Sequence, residues 1–471
     1  MKRILSFILV LSLVFCLTAC GNSDISNTTA SLDNRFRVGY AREDITPKGA
    51  TGLAGFGNDG ERLHKTVLDP LYLTCVAVTD AEDNTFMFVT IDITGMEEAS
   101  ANSVKGKINK ETGVPTDNIT VSGTHTHSAP SFGGVSMNIL KAAQKASAAA
   151  MEDRAYADMY IGDTNTKGLN FVRSYFKDDG STVGSSYATT EGGTIVKHVS
   201  DADTQMQLIR FKREDGKKDV VMVNWQAHNS LTGGMDRYDM SADWVGTFRI
   251  SFEQQSGALF AYFQGAAGNL DATSRIAEEN AVQPDPRNHV QHGALLAGHA
   301  MEALGDMTPV EPGLITFKTE DFIGECFHGD GELVNYASDV IAYFNAGHTV
   351  SEANVYARQF GIHSIYHAKA INGRSGHGAT EVIPITTVSL GNVAFATIPG
   401  ELFDSVGKYI KEESPFDMTF ILGYCNGAVS YLPSKYAFTY GSYEVDISAF
   451  VEGTAEAIAE RHLEFLRELK Q

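Results

Sequence analysis

The stretch GTHTHSAPS (123–131) sets His125 and His127 one residue apart behind the apolar run Ile119-Thr120-Val121. Fourteen histidines in 471 residues make one His-x-His pair unremarkable, so the pair matters only if other ligand types arrive from distant segments. Two do. The apolar segment Val220–Ala227 runs into His228, and Val393–Ile398 runs through Pro399-Gly400 into Glu401. Imidazole nitrogens with one carboxylate oxygen suit zinc, and a set short of four protein ligands leaves a position open for water. Each residue also has an ordinary use. His228 can be a buried histidine bonded to a carbonyl, and Glu401 can open a helix at Leu402, where the dipole favours a carboxylate.

These residues need a scaffold that holds strand ends together. FRVGYAREDITP (36–47), LYLTCVAVTD (71–80) and TFMFVTIDITGM (85–96) are apolar, β-branched and bounded by turn residues, and read as buried strands. Residues 99–113 and the alanine-rich 137–153 carry apolar positions at helical spacing. TQMQLIRFKRED (204–215) turns at Glu214-Asp215-Gly216 into DVVMVNWQAHNS (219–230), a hairpin that makes the sheet mixed. Residues 392–401 give a later strand, and about Ala449 to Leu469 a final amphipathic helix, acidic early and cationic late. The alternation predicts an α/β class: a mixed β-sheet core with flanking helices in one large domain. Strand ends are where such folds place chemistry.

The amino terminus, MKRILSFILVLSLVFCLTACGNSD, has two cations, an apolar run and small residues before Cys20. It predicts a lipoprotein signal over 1–19, a lipidated Cys20 opening a polar tether (20–34), and a catalytic domain over 35–471. The expected location is extracytoplasmic, anchored to the membrane of a bacterium at the cell surface or in the periplasm. Cys75, Cys326 and Cys425 are too few and too scattered for a disulfide framework or a zinc knuckle. A formal charge of -21 repels phosphate backbones, so nucleic acid is excluded as a partner. Gly265-Ala266-Ala267-Gly268-Asn269 lacks the Gly-Lys-Ser/Thr ending of a P-loop, and no G-x-S-x-G elbow occurs. A literal G-x-G-x-x-G at Gly55, Gly57 and Gly60 follows no strand directly and precedes a poor helix, so no dinucleotide site is expected.

Taken in order, VGYAREDITP, GTHTHSAPS, the strand ending at His228, SADWVG (241–246), FQGAAGN (263–269), IPGE (398–401) and NGAVSYLPSKYAFTYGSYE (426–444) resemble the neutral, or alkaline non-lysosomal, ceramidase family. The resemblance implies a ceramidase-like catalytic domain: a zinc amidohydrolase that cleaves the N-acyl bond of ceramide. Carried over by position, it puts the zinc ligands on His125, His228, Glu401 and Tyr431. It sets His127 beside the metal, where it can hold a reacting oxygen. It gives Arg173 the substrate carbonyl or the developing oxyanion, and turns Tyr443 toward the same site. The chain departs from the family at Gly268-Asn269-Leu270-Asp271-Ala272-Thr273, where Asp271 stands in the place of a catalytic serine. The expected route is therefore attack by metal-activated water, with Asp271, or alternatively His127, as the base. Two other readings stay open: a zinc hydrolase of another ester or N-acyl linkage in an envelope lipid or glycan, and a surface lipoprotein that binds without turnover.

Overall fold

The β-branched and aromatic runs form the centre of the molecule. In spatial order the large sheet runs Leu259–Gln264, Val220–Trp225, Gln205–Arg213, Ala155–Asn165, Phe36–Asp44, Tyr72–Thr79, Thr85–Ile91 and Ile119–Gly123, with Thr308–Val310 also paired to Ala155–Asn165. The two outermost pairs are parallel and the inner ones antiparallel, so the sheet is mixed. The expected hairpin is present, with Gln207 opposite Asn224 and Phe211 opposite Val220. A second sheet runs Ile315–Glu325, Thr380–Leu390, Val393–Thr397 and Met418–Leu422. This computed structural model describes residues 33–56, 62–185, 193–276, 288–327, 331–376 and 378–471. The signal, Cys20, Gly57 and Gly60 lie outside the described residues, and Asn34–Gln471 make up one compact unit.

Because side chains alternate across a strand, each strand of the large sheet feeds two cores. Phe86 and Phe88 point into one core while Met87, Val89 and Ile91 point into another; Val220 and Met222 separate in the same way from Val221, Val223 and Trp225. The face bearing Phe88 packs on the second sheet, where the Phe88 and Phe395 rings lie 4.5 Å apart. The opposite face is covered by the helices Glu98–Thr112, Phe132–Glu152, Asp243–Ser256 and His289–Gly305. The outer face of the second sheet is covered by Asp404–Glu413 and Thr454–Leu469. The result is four layers: helix, sheet, sheet, helix. Gly39 is required where Phe132–Glu152 crosses the sheet, since a Cβ there would lie 1.8 Å from the Ala150 carbonyl oxygen.

The final helix starts at Thr454 rather than Ala449. Gly453 takes a left-handed φ of 94°, and before it Phe450 is buried in a bridge to Cys326, so residues 449–453 serve the sheet rim. The three remaining cysteines are free, with Cys75 and Cys425 buried. A lobe not anticipated from the sequence, Gly331–Asn345, Val350–Arg358 and Ile365–Arg374, lies between Ile315–Glu325 and Thr380–Leu390 and has its own small core. Among the described residues no helix is long and apolar enough to cross a membrane.

The two sheets are also stitched by polar contacts at the end where their strands approach each other. The buried Asn224 side chain donates to the carbonyls of Ile421 (2.9 Å) and Phe263 (2.8 Å) and accepts from Ile421 N (3.0 Å). Replacing it leaves these backbone groups unpaired away from water, at roughly 1–3 kcal/mol each before relaxation. Asn224→Ala is expected to lower stability by about 2–4 kcal/mol in urea denaturation; a loss below about 0.5 kcal/mol would show that the sheets do not depend on this stitch.

Candidate metal centre and its surroundings

All three ligand-bearing segments leave their strands at the same end of the molecule. His125 follows Ile119–Gly123, His228 follows Val220–Trp225, and Glu401 follows Val393–Thr397 on the other sheet. Main-chain bonds lock the loops together. Gly123 N donates to Tyr424 O (3.1 Å), His125 N to Ile93 O (2.9 Å), His127 N to Asn229 O (2.9 Å), and Glu401 N to Ser430 O (3.0 Å). His125 is held at φ 63°, a left-handed conformation that a non-glycine residue keeps only when its surroundings over-determine it.

SADWVG supplies part of that restraint. The buried Asp243 carboxylate accepts from Thr232 N (2.6 Å) and Thr232 Oγ1 (2.7 Å), closing the loop after His228, while Trp244 Nε1 donates to the His228 carbonyl (3.2 Å). FQGAAGN supplies another part. Gly268 packs so closely that a Cβ would lie 2.3 Å from the Glu401 carbonyl oxygen, and Asn269 and Asp404 exchange two hydrogen bonds at 2.7 and 2.9 Å. This glycine-rich segment is thus a backbone rest for Glu401 as well as a turn.

The protons at the centre can be placed from the partners. His125 Nδ1 lies 2.7 Å from Thr94 O, and His228 Nδ1 lies 3.0 and 3.1 Å from the carbonyls of Ala267 and Leu270. A carbonyl only accepts, so each Nδ1 carries a proton; burial holds both rings well below the usual imidazole range, so each Nε2 carries a lone pair. Those lone pairs converge on one carboxylate oxygen, Glu401 Oε2, at 3.6 Å from His125 and 3.4 Å from His228. His228 Nε2 is buried with no hydrogen-bond partner. Acceptors facing acceptors with no proton between them repel each other unless a cation lies among them. The donor set fits a metal ion, and His127 extends it: one ring nitrogen each from His125, His127 and His228 lie within 4.8 Å of one another. His127 Nε2 is 3.0 Å from His125 Nε2, and burial, with His228 and Arg173 nearby, keeps it uncharged.

Around the centre the other expected residues form a second network. Tyr431 pairs with Glu401 in a short parallel ladder, and its hydroxyl accepts from Arg173 Nη2 at 3.0 Å. Arg173 also donates through Nε to Glu444 Oε1 (2.6 Å), through Nη2 to Gly268 O (2.9 Å), and through Nη1 to Asp271 Oδ1 (3.4 Å). Burial works against the Arg173 charge, but Glu444, Tyr431 and Asp271 outweigh it and hold the guanidinium ionised. Burial pushes the Asp271 carboxyl above its usual range, against the pull of Arg173. Asp271 is bridged through its backbone to His228, so the residue in the serine position stands beside a candidate ligand. Tyr443 packs edge-on to Tyr431 with ring centroids 6.1 Å apart, and burial pushes its phenol up to about 12.

The structure therefore brings His125, His127, His228 and Glu401 to one point and sets Arg173, Asp271, Tyr431 and Tyr443 beside it. Three contributors had no sequence signal of their own. Tyr424 stacks on His125 at 3.8 Å and donates to Glu401 Oε2 at 3.2 Å. Glu444 neutralises Arg173, and Thr94 fixes the His125 tautomer. The tyrosine and the glutamate lie within or beside the segment quoted from 426 to 444, but only the packing shows which polar side chains turn inward.

The family model for neutral/alkaline non-lysosomal ceramidase, N-terminal, matches residues 36–322. The chain belongs to the neutral/alkaline non-lysosomal ceramidase family. Its fold is similar to that of the neutral ceramidase from Pseudomonas aeruginosa, at 16% identity with a TM-score of 0.70, over 93% of this chain and 75% of that one. A ceramidase complexed with C2 is similar at 14% identity and a TM-score of 0.69, over 93% of this chain and 76% of that one. The mixed α/β ceramidase fold expected from the sequence is thus the fold of this chain.

Arg173 and Glu444 form a buried pair whose members need each other. Arg173→Leu leaves Glu444 charged in a dry setting and is expected to cost about 3–5 kcal/mol. Arg173→Leu with Glu444→Leu should recover most of that loss in a double-mutant cycle read by urea denaturation. Additive losses would show that the pair is not coupled.

Proposed function

We propose that this chain is a zinc-dependent hydrolase of the C–N amide bond in an N-acyl lipid of the ceramide class, tethered outside the cytoplasmic membrane through a lipid on Cys20. The observation that carries the reading is the convergence of the two imidazole lone pairs on the Glu401 carboxylate, from three strand ends on two sheets. His125, His228 and Glu401 would hold the ion with Tyr431, and His127 stands beside them. Zinc held there supplies Lewis-acid chemistry and makes water nucleophilic near neutral pH.

The chain's own residues account for the remaining tasks. Arg173, kept charged, lies against Tyr431 and can steady negative charge developing on the substrate carbonyl oxygen. Burial raises the Tyr443 phenol, so it stays protonated and can donate. His127, kept neutral, orients the attacking water. Asp271 accepts the proton that water loses as its oxygen bonds to the carbonyl carbon. It then returns that proton to the amine nitrogen as the C–N bond breaks, releasing a fatty acid and an amine. A carboxylate raised by burial suits both transfers better than one at its ordinary value.

A panel of N-acyl amines of different chain length, N-acylsphingosine among them, and matching esters should be incubated with metal-loaded protein and analysed for released acid and amine. Release from the long-chain amides above the esters is expected. Binding without release would favour a lipid-binding surface protein, and preference for the esters would change the bond cleaved. Asp271→Ala should lose roughly a hundredfold or more in turnover while its metal content stays that of the wild type; unchanged turnover would remove Asp271 from the mechanism.

A further inference from the structure

Beside His127 the chain builds a rim from four segments, 48–56, 62–68, 130–138 and 230–240. Gly55, at a left-handed φ of 102°, passes so close that a Cβ would lie 2.7 Å from the His127 ring, and the Phe56 ring meets the imidazole edge-on at 5.1 Å. Gly233 packs on both: a Cβ there would lie 2.7 Å from the Phe56 ring and 3.3 Å from His127 Cβ. The buried Arg62 side chain ties the segments together, donating to the carbonyls of Ala54 (2.5 Å), Gly234 (2.9 Å) and His127 (3.3 Å). Main-chain bonds extend the rim outward. Lys65 N donates to Tyr238 O at 2.8 Å and Leu68 N to Met240 O at 2.8 Å, while a Cβ on Gly134, in the first turn of Phe132–Glu152, would lie 3.1 Å from Thr51 Cγ2.

The outer side chains of this rim are apolar where a solvated loop would be polar. Leu63, Val67, Leu68, Met137 and Met235 are between 43% and 63% exposed. Single exposed apolar residues are ordinary, but five on one rim form a patch of the kind that marks an interaction surface. The patch adjoins the candidate metal centre on its more open side, since His127 is half-buried while His125 and His228 are buried. Charge points the same way. The chain carries -21, yet on the described residues of the rim the one exposed carboxylate is Asp236, against the exposed Lys48 and Lys65. Lys65 Nζ stands 3.8 Å from the centre of the Tyr238 ring. Aliphatic side chains bracketed by lysines and a tyrosine match the boundary between lipid headgroups and acyl chains, where stems are buried and charged ends stay wet.

We propose that this rim is the face by which the protein rests on a lipid bilayer, with the five apolar side chains entering the headgroup boundary and Lys48 and Lys65 meeting lipid phosphates. The proposal deepens the reading of an N-acyl lipid substrate and rests on it for its purpose. Such a lipid gives up the burial of its methylenes when it leaves the bilayer, so a centre that opens beside a lipid-seated rim takes its substrate without first passing it through water.

Tryptophan reporters in the full chain test the face: Leu68→Trp and Met137→Trp on the rim, and Tyr409→Trp as a reference on the helix layer over the second sheet, all at exposed positions. With vesicles of phosphatidylcholine and phosphatidylglycerol whose acyl chains carry bromine, the emission added at positions 68 and 137, above that of the buried Trp225 and Trp244, is expected to fall roughly twofold while that added at 409 stays unchanged. Rim emission that bromine leaves untouched, or an equal fall at all three positions, would overturn the proposal. Leu63→Asp with Leu68→Asp should slow release of acid from a long-chain N-acyl amine held in the vesicles about tenfold and leave a water-soluble short-chain amide at the wild-type rate; equal loss on both amides would likewise overturn it. Should neither amide be hydrolysed by the wild type, the hydrolase reading fails, and the quenching still decides the face.

Discussion

The centre depends on the packing of one sheet against the other. His125 and His228 are carried by the large sheet and Glu401 by the small one, so the gap into which their lone pairs point is set by the distance and register between the two. Apolar rings set the distance, with Phe88 against Phe395 at 4.5 Å. Polar groups set the register. Asn224 binds Ile421 from both sides, Gly423 N donates to Gln264 O at 2.8 Å, and the Asn426 side chain accepts from Val121 N at 3.0 Å. Each of these is a buried hydrogen bond that a one-residue slip would break, and unpaired polar groups at that depth are costly.

From this constraint follows the use of residues that would otherwise look wasteful. Gly268 has no side chain because the Glu401 carbonyl occupies that space, and Gly400 because the Ser430 carbonyl does. Asp243 is buried because its oxygens close the loop after His228. Arg173 is buried because Glu444 and Asp271 meet it from two directions while its Nη2 holds the Tyr431 hydroxyl. The candidate ligands are thus held by a shell whose members mostly face away from the centre, and it is this shell that lets His125 persist at a strained φ.

Much of this was legible in the sequence, and the rest was not for identifiable reasons. Strands with β-branched, aromatic runs were read to within a few residues, because burial on both faces leaves little room for polar interruptions, as in Val220–Trp225. The candidate ligand residues stood out because a strand that ends on histidine or glutamate is an unusual coincidence when it happens three times, and the structure brings those three ends together. Tyr431 was reachable only through kinship, since nothing in its spacing separates it from the other tyrosines. The start of the last helix was misplaced because Ala449-Phe450-Val451 has the apolar spacing of a helix but lies against Cys326 at a sheet rim. The lobe over 331–374 was missed because its apolar positions pack on one another rather than on the central sheets. Tyr424, Glu444 and Thr94 act through directions of side chains and carbonyls, which a linear pattern does not carry.

On the proposed reading His125 and Glu401, from different sheets, hold one metal ion together. Metal content of the purified chain, measured beside His125→Ala and Glu401→Ala after identical zinc loading, tests it most directly. Each variant is expected to carry about one equivalent less than the wild type. Variants that retain the wild-type content, in folded protein, would contradict it.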